Sequence, residues 1–77
     1  MEDILEVVIK NLVDKKDEVS INVRTNDSKS ICYEVKVAET DMGKVIGKQG
    51  KMAKSIRTIM KAIAGKEHKR VTIEFLD

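Results

Sequence analysis

The sequence has no proline and no tryptophan, and only one each of cysteine, histidine, tyrosine and phenylalanine in 77 residues. A lone thiol, Cys32, closes no intrachain disulfide, so stability must come from packing or from a partner subunit, and the usage suits a reducing compartment. With His68 as the only histidine there is no Cys/His cluster for zinc, and neither His68 nor Cys32 sits in a recognisable catalytic motif, so no enzyme, metal or cofactor is expected. No apolar run approaches the roughly 20 residues of a membrane span, and Glu2 and Asp3 oppose the basic start of a signal peptide; the chain reads as cytoplasmic. Repeats, low-complexity tracts and linkers are absent too, which leaves one domain over residues 1–77. A hydrophobic share of 42% argues that it folds, although a chain this short buries only about 60% of the surface it exposes when unfolded.

What is present alternates in period. Ile4, Leu5, Val8, Ile9, Leu12 and Val13 repeat at helical spacing and predict a helix over residues 3–13, with the polar run Asp14–Glu18 as its exit. Val19, Ile21 and Val23 then alternate with polar residues, as do Ile31, Tyr33, Val35 and Val37 after the turn residues Asn26-Asp27-Ser28. These are two strands of a hairpin, each with one buried face. Thr40 or Asp41 is placed to cap a very short helix, Met42 to Ile46, by accepting from its first amides. Beyond Gly50, Met52, Ile56, Ile59, Met60 and Ile63 share one side of a longer helix, with Ala53 and Ala64 at its edge and Lys51, Lys54, Arg57 and Lys61 opposite. Gly65 is positioned to end that helix. Val71, Ile73 and Phe75 mark a third strand.

The order helix-strand-strand-helix-helix-strand lets the last two strands lie parallel, joined by a two-helix crossover. The predicted class is α+β, a three-stranded mixed sheet with the helices on one face. Its other face, with Ser20, Asn22, Arg24, Cys32, Glu34, Lys36, Thr72 and Glu74, is polar enough to stay in water, and Cys32 is expected there as a partly exposed thiol.

Charge is distributed unevenly. Residues 1–41 hold six Lys/Arg against ten Asp/Glu, and residues 42–77 hold nine against three. From Met42 to Lys66 there are seven bases and no acid, the footprint of a face that meets a polyanion. At the centre of this segment stands Gly47-Lys48-Gln49-Gly50. Two glycines three apart, between a helix end and a helix start, allow the backbone to approach a ligand closely. The free amides and positive dipole end of the helix that starts at Lys51 attract phosphate, and Lys44, Lys48 and Lys51 add charge beside them. Taken alone, the same glycines read more readily as a plain helix-helix corner.

The stretch Val45-Ile46-Gly47-Lys48-Gln49-Gly50-Lys51-Met52-Ala53-Lys54-Ser55-Ile56 resembles the KH signature, in which an aliphatic pair precedes G-x-x-G and a basic and an aliphatic residue follow. The element order resembles the type II KH topology. With Thr40-Asp41-Met42-Gly43-Lys44 before the turn and Ala53-Lys54-Ser55-Ile56-Arg57-Thr58 after it, nearly the whole chain is similar to the small bacterial KhpA family. Lys15-Lys16 departs from the Asn-Pro common there before Asp-Glu-Val, which affects the shape of a local turn only.

The resemblance implies a non-catalytic protein that clamps the backbone of about four nucleotides of single-stranded RNA, as an RNA chaperone or post-transcriptional regulator. Gly47 and Gly50 would permit close approach, Lys48 and Gln49 would face phosphates, and Lys44, Lys51, Lys54 and Arg57 would add charge. Val45, Ile46 and Ile56 would line or support an apolar groove, Ile46 and Ile56 being equally placed for the core. With Tyr33 and Phe75 the only aromatics, ring stacking cannot dominate base binding. The resemblance also implies a homodimer or a pairing with a second KH-containing protein, and a purely protein-binding module is the competing reading. A nucleoside-triphosphate loop fails on spacing: three residues separate Gly43 from Gly47, Gln49 stands where a hydroxyl is required, and a helix precedes the loop.

Overall fold

The computed structural model describes residues 1–76. Helix α1 (Glu2–Leu12) leads through a single 3₁₀ turn, Lys16–Glu18, into the hairpin β1 (Ser20–Thr25) and β2 (Ser30–Lys36). A second 3₁₀ turn, Glu39–Asp41, precedes α2 (Met42–Ile46). The glycine turn follows, then α3 (Lys51–Lys66) and β3 (Arg70–Leu76). The sheet order is β1-β2-β3, with β1 antiparallel and β3 parallel to the central β2. This is the predicted α+β, type II KH arrangement.

In the hairpin turn the Asp27 carboxylate accepts the backbone N–H groups of Lys29 (2.7 Å) and Ser30 (2.8 Å), which is why an aspartate at that position reverses the chain. Register sets Tyr33 beside Val23 and Ile73, and Val35 beside Ile21 and Phe75, all on the face the helices cover. Leu5 and Ile9 of α1, Val45 of α2 and Ile56, Met60 and Ala64 of α3 close over Tyr33, Val35, Val71 and Ile73 to form the core.

Packing departs from the alternation at several places. Val23 is 45% exposed although it points to the helix side, because β1 is an edge strand that the helices only partly reach. On α3 the core line is Ala53, Ile56, Met60 and Ala64, while Met52 and Ile59 face outward. Alanines expected at the margin are therefore buried, and Ala64 joins the cluster packed on the strands, where its small size lets the helix approach the sheet. Cys32 is buried rather than partly exposed: on the central strand, Arg24 and Thr72 flank it across the ladder. Burial, with Glu74 and Glu34 nearby, pushes its thiol above the ordinary value.

Two helix ends also differ from expectation. α3 runs through Gly65, and His68, not glycine, takes the left-handed position (φ 58°). The N–H of His68 donates to Gly65 and that of Lys69 to Ala64, the paired bonds of a Schellman closure. At α2, neither Thr40 nor Asp41 caps the helix with its side chain. Asp41 stands at the cap position but is only 1% exposed, and its carboxylate accepts instead from the amides of Asp14 (3.3 Å) and Lys15 (3.0 Å), 27 and 26 residues back.

Candidate nucleic-acid interface

The glycine turn is shaped by backbone requirements that two of its residues satisfy differently. Gly47 has φ 77° and ψ 175°, a region essentially restricted to glycine. A Cβ built there would lie 2.6 Å from the Cβ and 2.8 Å from the backbone N of Met52, so the α2–α3 corner closes only without one. Gly50 is left-handed at φ 75°, but nothing lies within 4 Å of where its Cβ would be. Between them Gln49 is also left-handed (φ 56°), which leaves Lys48 and Gln49 exposed at the tip. The N–H of Gly50 donates to the carbonyl of Gly47 at 3.2 Å and fastens the turn.

Because Gly50 is the N-cap of α3, no side chain caps that helix. The Lys51 amide donates to the Lys48 carbonyl, so the turn's own backbone closes the first position, at the positive end of a 16-residue helix that no side chain caps. Lys48, Lys51 and Lys54 surround this point, all exposed and none within 4 Å of a carboxylate among the described residues. Lys44 is differently placed. Its ammonium donates to the Asp14 carboxylate and stands 3.6 Å from Asp41 Oδ1. The Asp14 bond holds the Lys44 pKa above the usual lysine value, and its charge is largely answered within the protein.

This network is what aims the turn. The Lys15 amide, first, and then that of Asp14 with the charge of Lys44 hold the Asp41 carboxyl below the ordinary carboxylate range, against the opposing effect of burial. One buried carboxylate thus ties the exit of α1 to the start of α2, and α2 delivers Gly47.

The aliphatic residues separate into two roles. Val45 and Ile56 are core, 0% and 2% exposed, and support the turn from below. Ile46 is half-buried and retains surface beside Gly47. Arg57 lies on the flank of α3 that meets edge strand β3: its Nε–H donates to the Ile73 carbonyl at 3.1 Å, and its guanidinium stands over the Phe75 ring. The structure therefore groups Gly47, Lys48, Gln49, Gly50, Lys51 and Lys54 at one end of α3 and sets Arg57 farther along. Lys69 and Arg70, from the basic loop Lys66–Arg70, and Phe75 stand on this same edge. No group of three or more His, Cys, Asp or Glu is arranged to hold a metal ion among the described residues.

Comparison with known proteins agrees with this architecture. A protein called RNA-binding protein KhpA from Clostridium acetobutylicum is 54% identical over 76 residues, covering 99% of this chain and all of that one. Proteins of the same name from Borreliella burgdorferi (44% identical, 97% of this chain and 90% of that one) and Aquifex aeolicus (43%, 100% and 96%) are also similar. The model of the KhpA/KhpB KH domain matches residues 2–75. An uncapped basic helix start behind a glycine-restricted turn, a type II KH topology and similarity along nearly the full chain place this protein in the KhpA/KhpB KH-domain family.

Proposed function

We propose that this protein binds single-stranded RNA without catalysis, clamping about four nucleotides of backbone at Gly47-Lys48-Gln49-Gly50. The observation that carries the reading is the positive, side-chain-uncapped start of α3, with Lys48, Lys51 and Lys54 around it paired to no carboxylate among the described residues and no acid from Met42 to Lys66. Phosphate oxygens replace the missing cap, Gly50 leaves room for the backbone, and Ile46 offers an apolar edge to a base. The relatives' names agree with RNA as the ligand. A role as an RNA chaperone or post-transcriptional regulator follows from such a shallow, weakly selective site. No helix among the described residues is long and apolar enough to cross a membrane.

The decisive variant replaces Lys48 and Gln49 with aspartates and keeps both glycines. Affinity for a short unstructured RNA should fall at least tenfold while the circular dichroism spectrum and melting temperature stay unchanged. Retained affinity would remove the turn as the clamp.

A second reading, a module that forms a homodimer or pairs with another KH-containing protein, is favoured by the outward Ile4, Val7, Met52 and Ile59 side chains. Light scattering beside the RNA titration separates the two. A stable dimer with no RNA affinity even at low salt would make protein binding the main activity.

A further inference from the structure

Asp14 has a fastened backbone and an exposed carboxylate. Its N–H donates to one oxygen of the buried Asp41 carboxylate at 3.3 Å, and the N–H of Lys15 donates to the other at 3.0 Å, so the exit of α1 is pinned to the start of α2. The Asp14 side chain is 80% exposed, and its partner among the described residues is the Lys44 ammonium. Lys44 is itself 44% exposed and stands 3.6 Å from Asp41 Oδ1, beyond hydrogen-bond distance. The two carboxylates therefore play unequal parts. Asp41 is occupied by backbone amides and belongs to the fold, whereas the Asp14 carboxylate serves Lys44 alone. An exposed pair of that kind adds little to stability.

The pair stands beside the glycine turn. Lys44 precedes Gly47 by about 4.5 Å along the axis of α2, and the N–H of Gly47 donates to the Gly43 carbonyl, so the helix continues into the turn. Gly43 is exposed, and nothing lies within 4 Å of where its Cβ would be. The face of α2 that runs back from Gly47 is therefore bare, open to the backbone of a strand, with the flexible stem of Lys44 next to it. Of the bases nearest the turn, Lys44, Lys48, Lys51 and Lys54, Lys44 alone has a carboxylate within 4 Å among the described residues. The sequence carries no acid from Met42 to Lys66, and the fold brings Asp14 to that segment.

We infer that Asp14 is a built-in competitor of RNA phosphate, holding Lys44 out of the nucleic-acid interface and setting the affinity for single strands below what the basic segment allows. The inference rests on the RNA-binding reading of the glycine turn. In the unaltered protein a phosphate reaches Lys44 only by displacing Asp14. One ion pair then replaces another, and Lys44 adds little to binding. Without the Asp14 charge the same phosphate takes Lys44 directly, and one more counterion leaves the strand for each protein bound.

The test measures affinity for octauridine by fluorescence anisotropy across a salt series. Asp14→Asn keeps the side-chain shape and the backbone bond to Asp41, and Asp14→Ser serves equally if it fails to fold. The variant should bind about two- to fivefold more tightly than the unaltered protein at low salt. Its log-log salt slope should steepen by about 0.7, the single-strand increment for one further phosphate. Removing any acid raises the net charge, so two controls isolate the pair. Asp17→Asn neutralises an exposed acid that has no base within 4 Å among the described residues, and should give less than half the gain. In a Lys44→Gln background, Asp14→Asn should give no gain over Lys44→Gln alone. Unchanged or weaker binding by a folded Asp14→Asn overturns the inference and leaves the clamp intact. So does an equal gain from Asp17→Asn, or a gain that persists without Lys44, since either marks a bulk charge effect. Absence of octauridine binding by every protein, the unaltered one included, overturns the RNA reading and this inference together.

Discussion

At the scale of single residues, the two glycines of the turn look equivalent in the sequence and are not. Gly47 occupies a backbone region that L side chains avoid and has Met52 pressed against it; Gly50 is left-handed in open space. Gly50→Ala should therefore carry only the left-handed penalty, about 1–2 kcal/mol. Gly47→Ala adds a backbone clash to its own strain of about 1–3 kcal/mol and should cost more than Gly50→Ala by at least about 1 kcal/mol. Urea or thermal melts of the two variants check the order. In the proposed clamp the order reverses relative to stability: a methyl at Gly50 would intrude on the ligand backbone, so the RNA affinity of Gly50→Ala should fall by more than its stability loss explains. A motif written G-x-x-G gives no hint of this division, because Met52 becomes a neighbour only when the chain turns back on itself. Arg57 is a similar case. Helical periodicity places it among the outward bases, and only the fold sets it against Ile73 and Phe75.

At the scale of elements, α2 is five residues long and too short to be stable by itself. It is held through Val45 in the core and through Asp41, whose carboxylate satisfies the Asp14 and Lys15 amides. The Asp41 pKa is lowered on folding, so the folded state binds this proton less readily than the unfolded chain. Its contribution to stability is fully present above the ordinary carboxylate value, about pH 4, and is lost as the pH falls through the lower folded value. The melting temperature of the unaltered protein should thus decline on acidification below about pH 4. Asp41→Asn should melt several degrees lower at pH 7 and show a flatter acid limb. Melting curves from pH 7 to pH 2.5 for both proteins measure this, and parallel acid limbs would dismiss Asp41 as the titrating anchor. The sequence suggests Asp41 as a local helix cap because capping preferences are local; its partners lie 26 and 27 residues away and leave no sequence signal.

For the whole molecule, charge is sorted by topology. The acidic first half forms α1 and the hairpin, while the basic second half forms the turn, α3 and the α3–β3 edge. The two halves meet in the ion pairs of Lys44 with Asp14 and Asp41, which removes Lys44 from the free charge of the interface. Lys48, Lys51 and Lys54 remain, enough for about three phosphates. The logarithm of the binding constant should then fall against that of salt concentration with a slope of about −2, as single strands require. Titrations between 50 and 300 mM salt check it. A slope near −4 would mean that the Lys61, Lys69 and Arg70 recess holds phosphates as well.

The sequence by itself determined the element order, the mixed sheet and the position of the turn, since each depends on local period and on glycine, which neighbours along the chain set. It also marked the basic segment on which the proposed RNA site is built, because seven bases without an acid from Met42 to Lys66 can be counted without the fold. Tertiary structure decided which of those charges are available and which apolar residues are buried. Lys44 is paired across the fold, Arg57 is fixed by β3, Ile56 belongs to the core, and Met52 and Ile59 exchange places with Ala53 and Ala64. The physical reason is common to all of them. Ion pairing, burial and close helix-to-sheet approach depend on residues far apart in sequence, whose proximity exists only once the chain has folded.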